Sequence, residues 1–268
     1  MKKQIILAFL LSTVIGVSSC SAQQYIQKLH EQQKQSSISK QQAKTYNSSS
    51  NSNVVKPVNN NNVNNNVVSG DYDRYYQEAL EQIESNNLYG AHTSLCKALE
   101  IKHDFLKAIK TRGIIRSRLA NYNGAILDLS NAISLSANDA ELYYERGFAK
   151  LALQNFPEAV KDFDKAISLN SNYTKAYHQR GYAYCLWGKS TNTDYYFAKA
   201  INDFNNVLNQ NPNITEARLY RGMALCERGE KDLGMKDVEQ AIEEYKNNND
   251  TDAYQRSIEI YNWLERDY

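Results

Sequence analysis

The residues able to do chemistry are few and poorly spaced for it. Four histidines, His30, His92, His103 and His178, are scattered along the chain. None belongs to a His-Glu-x-x-His run or to the paired spacing that a zinc site needs. No Ser–His–Asp or Cys–His set stands out as an activated nucleophile. The nearest approach to a nucleotide motif is Ala183–Ser190, AYCLWGKS, one residue away from a phosphate-binding loop. Ala183 stands where that loop needs its first glycine, and the stretch follows a helix rather than a strand. Its backbone amides therefore lack the strand–loop–helix geometry that cradles phosphate. The expectation is a chain that is not an enzyme, with no metal, no cofactor and no nucleotide.

Cys20 is the exception. Lys2 and Lys3 precede an apolar run from Ile5 to Val17, too short and too weakly flanked for a lasting membrane span but suited to an export signal. The run ends Val17-Ser18-Ser19-Cys20, which resembles the lipobox of bacterial lipoproteins. That resemblance implies diacylation of Cys20, cleavage before it, and a signal segment over 1–19. Several acyl chains hold a protein stably at a bilayer where one does not. Ser21 beside Cys20 is permissive for outer-membrane sorting, so the expected address is the bacterial cell envelope, lipid-anchored at the outer membrane. Cleavage after Ala22 is the alternative and gives a soluble periplasmic or secreted chain. Once Cys20 is acylated, Cys96, Cys185 and Cys226 remain, an odd set read as small apolar filler in helices.

Residues 20–70 form a Gln-, Asn- and Ser-rich stretch with SSSNSN and NNNNVNNN runs and few apolar residues. Such a composition cannot offset its ordering entropy by burial, so it reads as a disordered tether. At flexible-linker scaling it reaches about 40 Å. The overall balance of 31 Lys+Arg against 30 Asp+Glu hides a segregation. Lys28, Lys34, Lys40, Lys44 and Lys56 face only Glu31 in the tether, which leaves the remainder acidic. That argues against nucleic acid as a partner, because phosphate binding needs clustered cations.

The organising stretch is Ala140–Tyr173, AELYYERGFAKLALQNFPEAVKDFDKAISLNSNY. It resembles a tetratricopeptide repeat (TPR), with Tyr143, Gly147, Ala159, Phe163 and Ala166 at repeat positions 4, 8, 20, 24 and 27. Close helix crossings need small residues where backbones approach and large ones filling the adjacent grooves. The same register recurs over 72–105, 106–139, 174–214 and 215–248, the fourth unit carrying a seven-residue insertion, Lys189–Tyr195. The fold class expected is all-α: a right-handed α-solenoid of five TPR helix–turn–helix units over 71–248. A capping helix is expected over 249–268, with Tyr254, Ile258, Tyr261 and Leu264 at helical spacing.

Position 7 of four units is Arg112, Arg146, Arg180 and Arg221, and position 23 of the same units is Asp128, Asp162, Asp203 and Asp237. The first unit lacks both, having Glu78 and Ser94. Presence and absence together predict contact between the two helices of each unit, as bidentate pairs.

The resemblance also implies a non-catalytic scaffold, or adaptor, whose concave face captures a protein or peptide of the cell envelope. First-helix positions place Tyr76, Lys107, Lys110, Arg118, Tyr144, Phe148, Lys175, His178, Tyr182, Tyr220 and Met223 on that face. A dicarboxylate clamp known in the family is absent. Lys110 and Lys175 match it, but Ile114, Glu145 and Gln179 do not. A self-associating structural protein is the rival. In the insertion, Lys189–Asn192 is expected as loop, with Thr193 or Asp194 capping a second helix begun early. Tyr195, Tyr196 and Phe197 would then project from the edge of the stack as a secondary contact, or else fold back onto Trp187.

Overall fold

The computed structural model describes residues 70–267, which form eleven helices joined by short turns. The expected export signal, Cys20 and nearly all of the expected tether lie outside the described residues. The first unit pairs α1 (Asp71–Glu84) with α2 (Leu88–Ile101), and the second pairs α3 (Leu106–Arg118) with α4 (Tyr122–Leu135). The third pairs α5 (Ala140–Ala152) with α6 (Phe156–Leu169), and the fourth pairs α7 (Thr174–Thr191) with α8 (Asp194–Gln210). The fifth pairs α9 (Thr215–Glu227) with α10 (Lys231–Asn247), and α11 (Thr251–Asp267) closes the stack. Each helix packs mainly on its chain neighbours, so the fold is an all-α solenoid. Helices of 13 or 14 residues, such as α4 and α5, are marginal alone in water, and stacking supplies their stability.

The small and large repeat positions form the core. Ala79, Ala91, Ala98, Ala125, Ala132, Ala159, Ala166, Ala200 and Ala241 are fully buried, as are Leu95, Leu129, Phe163, Phe204 and Val238. The closest approach is in the fifth unit. A Cβ on Gly222 would meet the carbonyl oxygen of Gly234 at 2.6 Å, and one on Gly234 would meet the Gly222 oxygen at 2.5 Å. Two glycines facing each other let α9 and α10 touch backbone to backbone.

Within each unit the chain turns on a left-handed residue: Asn86, Ala120, Gln154, Asn192 or Gly229. In the second unit Asn121 N–H reaches back to the Arg116 carbonyl at 2.8 Å, and in the third Asn155 N–H reaches Lys150 at 3.0 Å. These six-to-one bonds satisfy carbonyls orphaned at the helix end. Asn87 and Asn121 then cap the next helix, their side chains accepting from the Gly90 and Gly124 amides. Ala120 holds φ 58° with no polar side chain to compensate, at a cost of about 1–2 kcal/mol. Glycine removes that cost but gains unfolded-chain freedom. Ala120→Gly should therefore raise stability by about 0.5 kcal/mol in urea unfolding. A loss of stability would mean that the left-handed turn is not strained.

The insertion departs from expectation. Lys189 to Thr191 is helix, not loop: α7 continues through Gly188, which stands where the other units turn, and ends only at Asn192. The extra residues add a turn to the first helix because nothing in Gly188-Lys189-Ser190-Thr191 forces an exit. Gly188 is buried against Phe197, so close that a Cβ added to it would lie 3.1 Å from that ring. Phe197 is consequently core, and Tyr196 stacks on Trp187 at 4.1 Å. Only Tyr195 projects, at 59% exposure. The lengthened α7 instead braces the end of the stack. Lys189 pairs with Glu227 of α9 and lies 4.2 Å over the Trp263 ring of α11.

The cap also differs in phase. Ala253, Ser257, Ile260 and Leu264 are its buried stripe, and Tyr254, Ile258 and Tyr261 flank it half-exposed. The large flanking side chains reach over the edge of α10, and small residues make the close contact. Trp263→Ala should loosen α11 first. Its amides should then exchange markedly faster while those of α5 are unchanged; equal protection in the two proteins would remove the brace.

Candidate functional site

Successive first helices touch one another, α3 with α5, α5 with α7 and α7 with α9, as well as packing on second helices. They are thus the more closely spaced inner layer, and their outward side lines the concave face. Two polar systems occupy this layer, one closed on itself and one open.

The closed system joins the units. Each of the four arginines donates two hydrogen bonds to one aspartate. Arg112 reaches Asp128 at 2.9 and 2.8 Å, and Arg146 reaches Asp162 at 2.9 and 2.7 Å. Arg180 reaches Asp203 at 2.9 and 2.6 Å, and Arg221 reaches Asp237 at 2.7 and 2.8 Å. The remaining Nη1 of each crosses to the preceding unit. It donates to Cys96 Sγ (3.7 Å), Ser130 Oγ (3.1 Å), Asp164 Oδ1 (2.6 Å) and Asn205 Oδ1 (2.8 Å). One guanidinium therefore fixes both the angle within a unit and the register to its neighbour. Cys96 is an acceptor in this row rather than apolar filler. The signal was legible: Cys96, Ser130, Asp164 and Asn205 all stand at position 25. The first unit substitutes a chain without a cation, in which Ser94 donates to Gln82, and Gln82 donates to Glu78. The row has no free carboxylate-binding edge, so its role is structural.

The open system is the concave surface, and it divides the eleven residues expected there. Tyr182, Tyr220 and Met223 are 1%, 3% and 8% exposed, which corrects their placement. They pack into the stack between α7 and α9, which touch each other, and there the Tyr182 and Tyr220 rings lie 5.0 Å apart. Tyr76 packs edge-on to Phe105 at 5.2 Å, half-buried at the start of the face. Tyr144 is tilted against Tyr173 at 5.1 Å, and Phe148 is half-buried nearby. Lys110 is engaged by Asp139 at 2.7 Å and Glu141 at 2.5 Å. Lys107, Arg118 and Lys175 are exposed, with no hydrogen bond and no ion pair within 4.0 Å among the described residues.

Where the third, fourth and fifth units meet, a concavity of 480 Å³ is lined by Tyr144, Thr174, Lys175, His178, Gln179, Asn211, Ile214 and Glu216. His178 packs edge-on to Phe204 at 5.8 Å, and its Nε2 lies 3.7 Å from Glu216 without a hydrogen bond. Burial lowers its pKa and Glu216 opposes that only weakly, so the ring is neutral at neutral pH. Gln179 Oε1 is also buried without a partner. An apolar wall with a few unmet polar atoms is the usual make-up of a ligand-binding surface. Asn211, Ile214 and Glu216 were not foreseen because they belong to the turn before α9 and that helix's first residues.

Next to Tyr144 on α5 stands Glu145, named in the sequence only as a mismatch to the clamp. It is half-buried and has no hydrogen bond and no ion pair within 4.0 Å among the described residues. Burial, and then Glu141, raise its carboxyl to about 7, against the pull of Arg118, Lys175 and Lys110. Burial and the Glu145 charge push the Tyr144 hydroxyl up as well.

No group of three metal-ligating side chains occurs among the described residues, and no described helix is long and apolar enough to cross a membrane. Residues 140–173 match the tetratricopeptide repeat family. Among solved structures, MamA is similar over 68% of this chain and 96% of its own, at 22% identity and a TM-score of 0.59. A tetratricopeptide repeat protein from Parabacteroides merdae is similar over 73% of each chain, at 18% identity and a TM-score of 0.61. YrrB, described as a TPR protein with an unusual peptide-binding site, is similar over 69% of this chain and 89% of its own, at 20% identity and a TM-score of 0.56. No curated protein sequence matches the chain. These likenesses establish the fold, a TPR-type solenoid.

Proposed function

We propose that the protein is a non-catalytic scaffold that captures a protein or peptide segment on its concave face while Cys20 holds it at a membrane of the bacterial cell envelope. The observation that supports capture is the concave surface around Tyr144, Lys175, His178 and Gln179. There, the unpaired Lys175 stands beside Tyr144 and Ile214, with His178 and Gln179 behind them lacking hydrogen-bond partners for one buried atom each, whereas the Arg–Asp row beside it is satisfied throughout. The solenoid supplies rigidity, so a ligand would meet a preformed surface rather than one it must order. Anchoring is supported by the lipobox-like Val17–Cys20.

Capture is tested with a photo-crosslinking residue at Thr174, which lines the concavity, compared with one at Tyr89, which is 77% exposed on α2, in living cells. A discrete crosslinked species from Thr174 and none from Tyr89 is the expected result. Equal yields from both positions, or none from Thr174, would remove the concave face from the reading. Crosslinks only between two copies of the chain would favour the self-associating alternative. Anchoring is tested separately. Cys20→Ala should move the protein from the membrane to the soluble fraction with its helical circular dichroism unchanged, because no second anchor is evident in the sequence. Membrane retention of that variant would end the lipoprotein reading.

A further inference from the structure

The charges on the concave face do not cancel locally. Asp139 and Glu141 are both taken up by Lys110, and Glu227 by Lys189, while Glu216 at the start of α9 accepts from the Tyr220 hydroxyl and faces His178. Arg118 and Lys175, on either side of α5, have no counter-ion. Glu145 on α5 lies within electrostatic reach of both and has no hydrogen bond and no ion pair within 4.0 Å among the described residues. With Lys107 also unpaired on α3, three free cations stand around one recessed carboxylate, and the face suits an anionic strand best when that carboxylate is neutral. With the carboxylate charged, the strand's own carboxylates would be brought against it in a partly desolvated place, where like charges cost most.

We propose that the concave face across α3, α5 and α7 takes an acidic peptide segment whose carboxylates pair with Arg118 and Lys175, and that protonation of Glu145 admits it. The inference rests on the concave face being the ligand surface, as proposed above, and specifies the ligand's charge and the condition for its capture. The groups facing Glu145 are Glu141 and Tyr144 on its own helix, Lys110 and Arg118 from α3, Lys175 from α7, and Tyr173 from the turn before α7. Burial dominates them. It holds the carboxyl at about 7, so the group is neutral below that pH and charged above it. Binding should therefore strengthen as pH falls, and by linkage an anionic ligand should draw a proton onto the site. Glutamates of the ligand stay ionised throughout this range, because their ordinary pKa is about 4.3.

The probe is a rhodamine-labelled peptide of alternating glutamate and alanine, compared with its lysine–alanine counterpart, measured by anisotropy on the full chain at about pH 6 and about pH 8. If only the neutral form binds, the fraction competent changes about tenfold across that window, and apparent affinity follows it. Glu145→Gln should bind the acidic probe at both pH values as tightly as the wild type does at the lower one. Arg118→Ala with Lys175→Ala, both exposed and unpaired, should weaken the acidic probe at least about tenfold without changing the melting curve. Equal wild-type affinity at the two pH values, or pH dependence that survives in Glu145→Gln, would overturn the proposal. So would tighter binding of the lysine probe, although the concave face would then remain a ligand surface. Loss of that surface itself would show instead as the failed Thr174 crosslink.

Discussion

Gly222→Leu should leave the C-terminal part of the solenoid unfolded. The substitution places its Cβ 2.6 Å from the Gly234 carbonyl oxygen, 2.8 Å from Val238 Cγ2 and 3.0 Å from Asp237 Cβ. Side chains can rotate away from an intruder; a carbonyl inside α10 cannot move without the helix. The facing contact is equally tight, since a Cβ on Gly234 would lie 2.5 Å from both the Gly222 oxygen and Cys226 Sγ. Overpacking of a side-chain core costs about 1–3 kcal/mol, and separation of two backbones belongs at or beyond the top of that range. The damage should spread to α11, which packs mainly on α10 and is otherwise held by α9 and by Lys189 of α7. In a solenoid, loss of one interface unravels the terminal units while the others persist. Hydrogen exchange should therefore show α9 to α11 open, with α3 to α6 still protected. Gly147→Leu, which meets chiefly the Phe163 ring at 2.9 Å, should cost less, because a ring edge can shift. Melting of Gly222→Leu within about a degree of wild type would mean that α9 and α10 are not in backbone contact.

How much of this was legible before the structure depends on what each residue's position is relative to. Small residues at positions 8 and 20 and large ones at 24 report on contacts within one helix pair, and pair geometry repeats. The buried set follows directly from that register. The concave face depends instead on the rotation between successive units, which no single repeat encodes. Tyr182, Tyr220 and Met223 occupy face positions in number but pack into the stack between α7 and α9. Insertions are opaque for a related reason. Lys189-Ser190-Thr191 has no strong helix breaker, so whether it continues α7 depends on what meets it. Here Glu227 and Trp263 do. In the cap Leu264 is buried as expected, but Tyr254, Ile258 and Tyr261 stand one residue off the buried stripe, because a helix lying close on α10 takes Ala253 and Ser257 at the contact. Glu145 was visible as a residue but not as a site. Its significance lies in the missing partner, and a missing partner has no sequence signature.

The Arg–Asp row carries the second large effect, and the four units should not respond alike. Asp162 is 4% exposed and accepts Arg146 at 2.9 and 2.7 Å together with Lys150 at 2.7 Å. Asp162→Ala leaves two half-buried cations facing each other across a small void, with only Ser130 Oγ still accepting from Arg146. Breaking a buried pair in this way costs about 3–5 kcal/mol, most of it the penalty of the stranded charges. Asp203→Ala should cost clearly less. Arg180 keeps a carboxylate, Asp164 at 2.6 Å, and the position occupied by Lys150 in the third unit is Tyr184 in the fourth, so no second cation is stranded. Asp128 resembles Asp162, because Arg112 and Arg116 both converge on it at 2.8 and 2.9 Å. The expected order of loss in urea unfolding is therefore Asp162 and Asp128 first, then Asp203. Replacing Arg146, Lys150 and Asp162 together by Met, Met and Leu should recover much of the deficit, since an apolar set of similar volume has no charge to desolvate. Equal losses for Asp162→Ala and Asp203→Ala would show that the aspartates act as spacers between helices. The cost would then have nothing to do with how many cations each one holds.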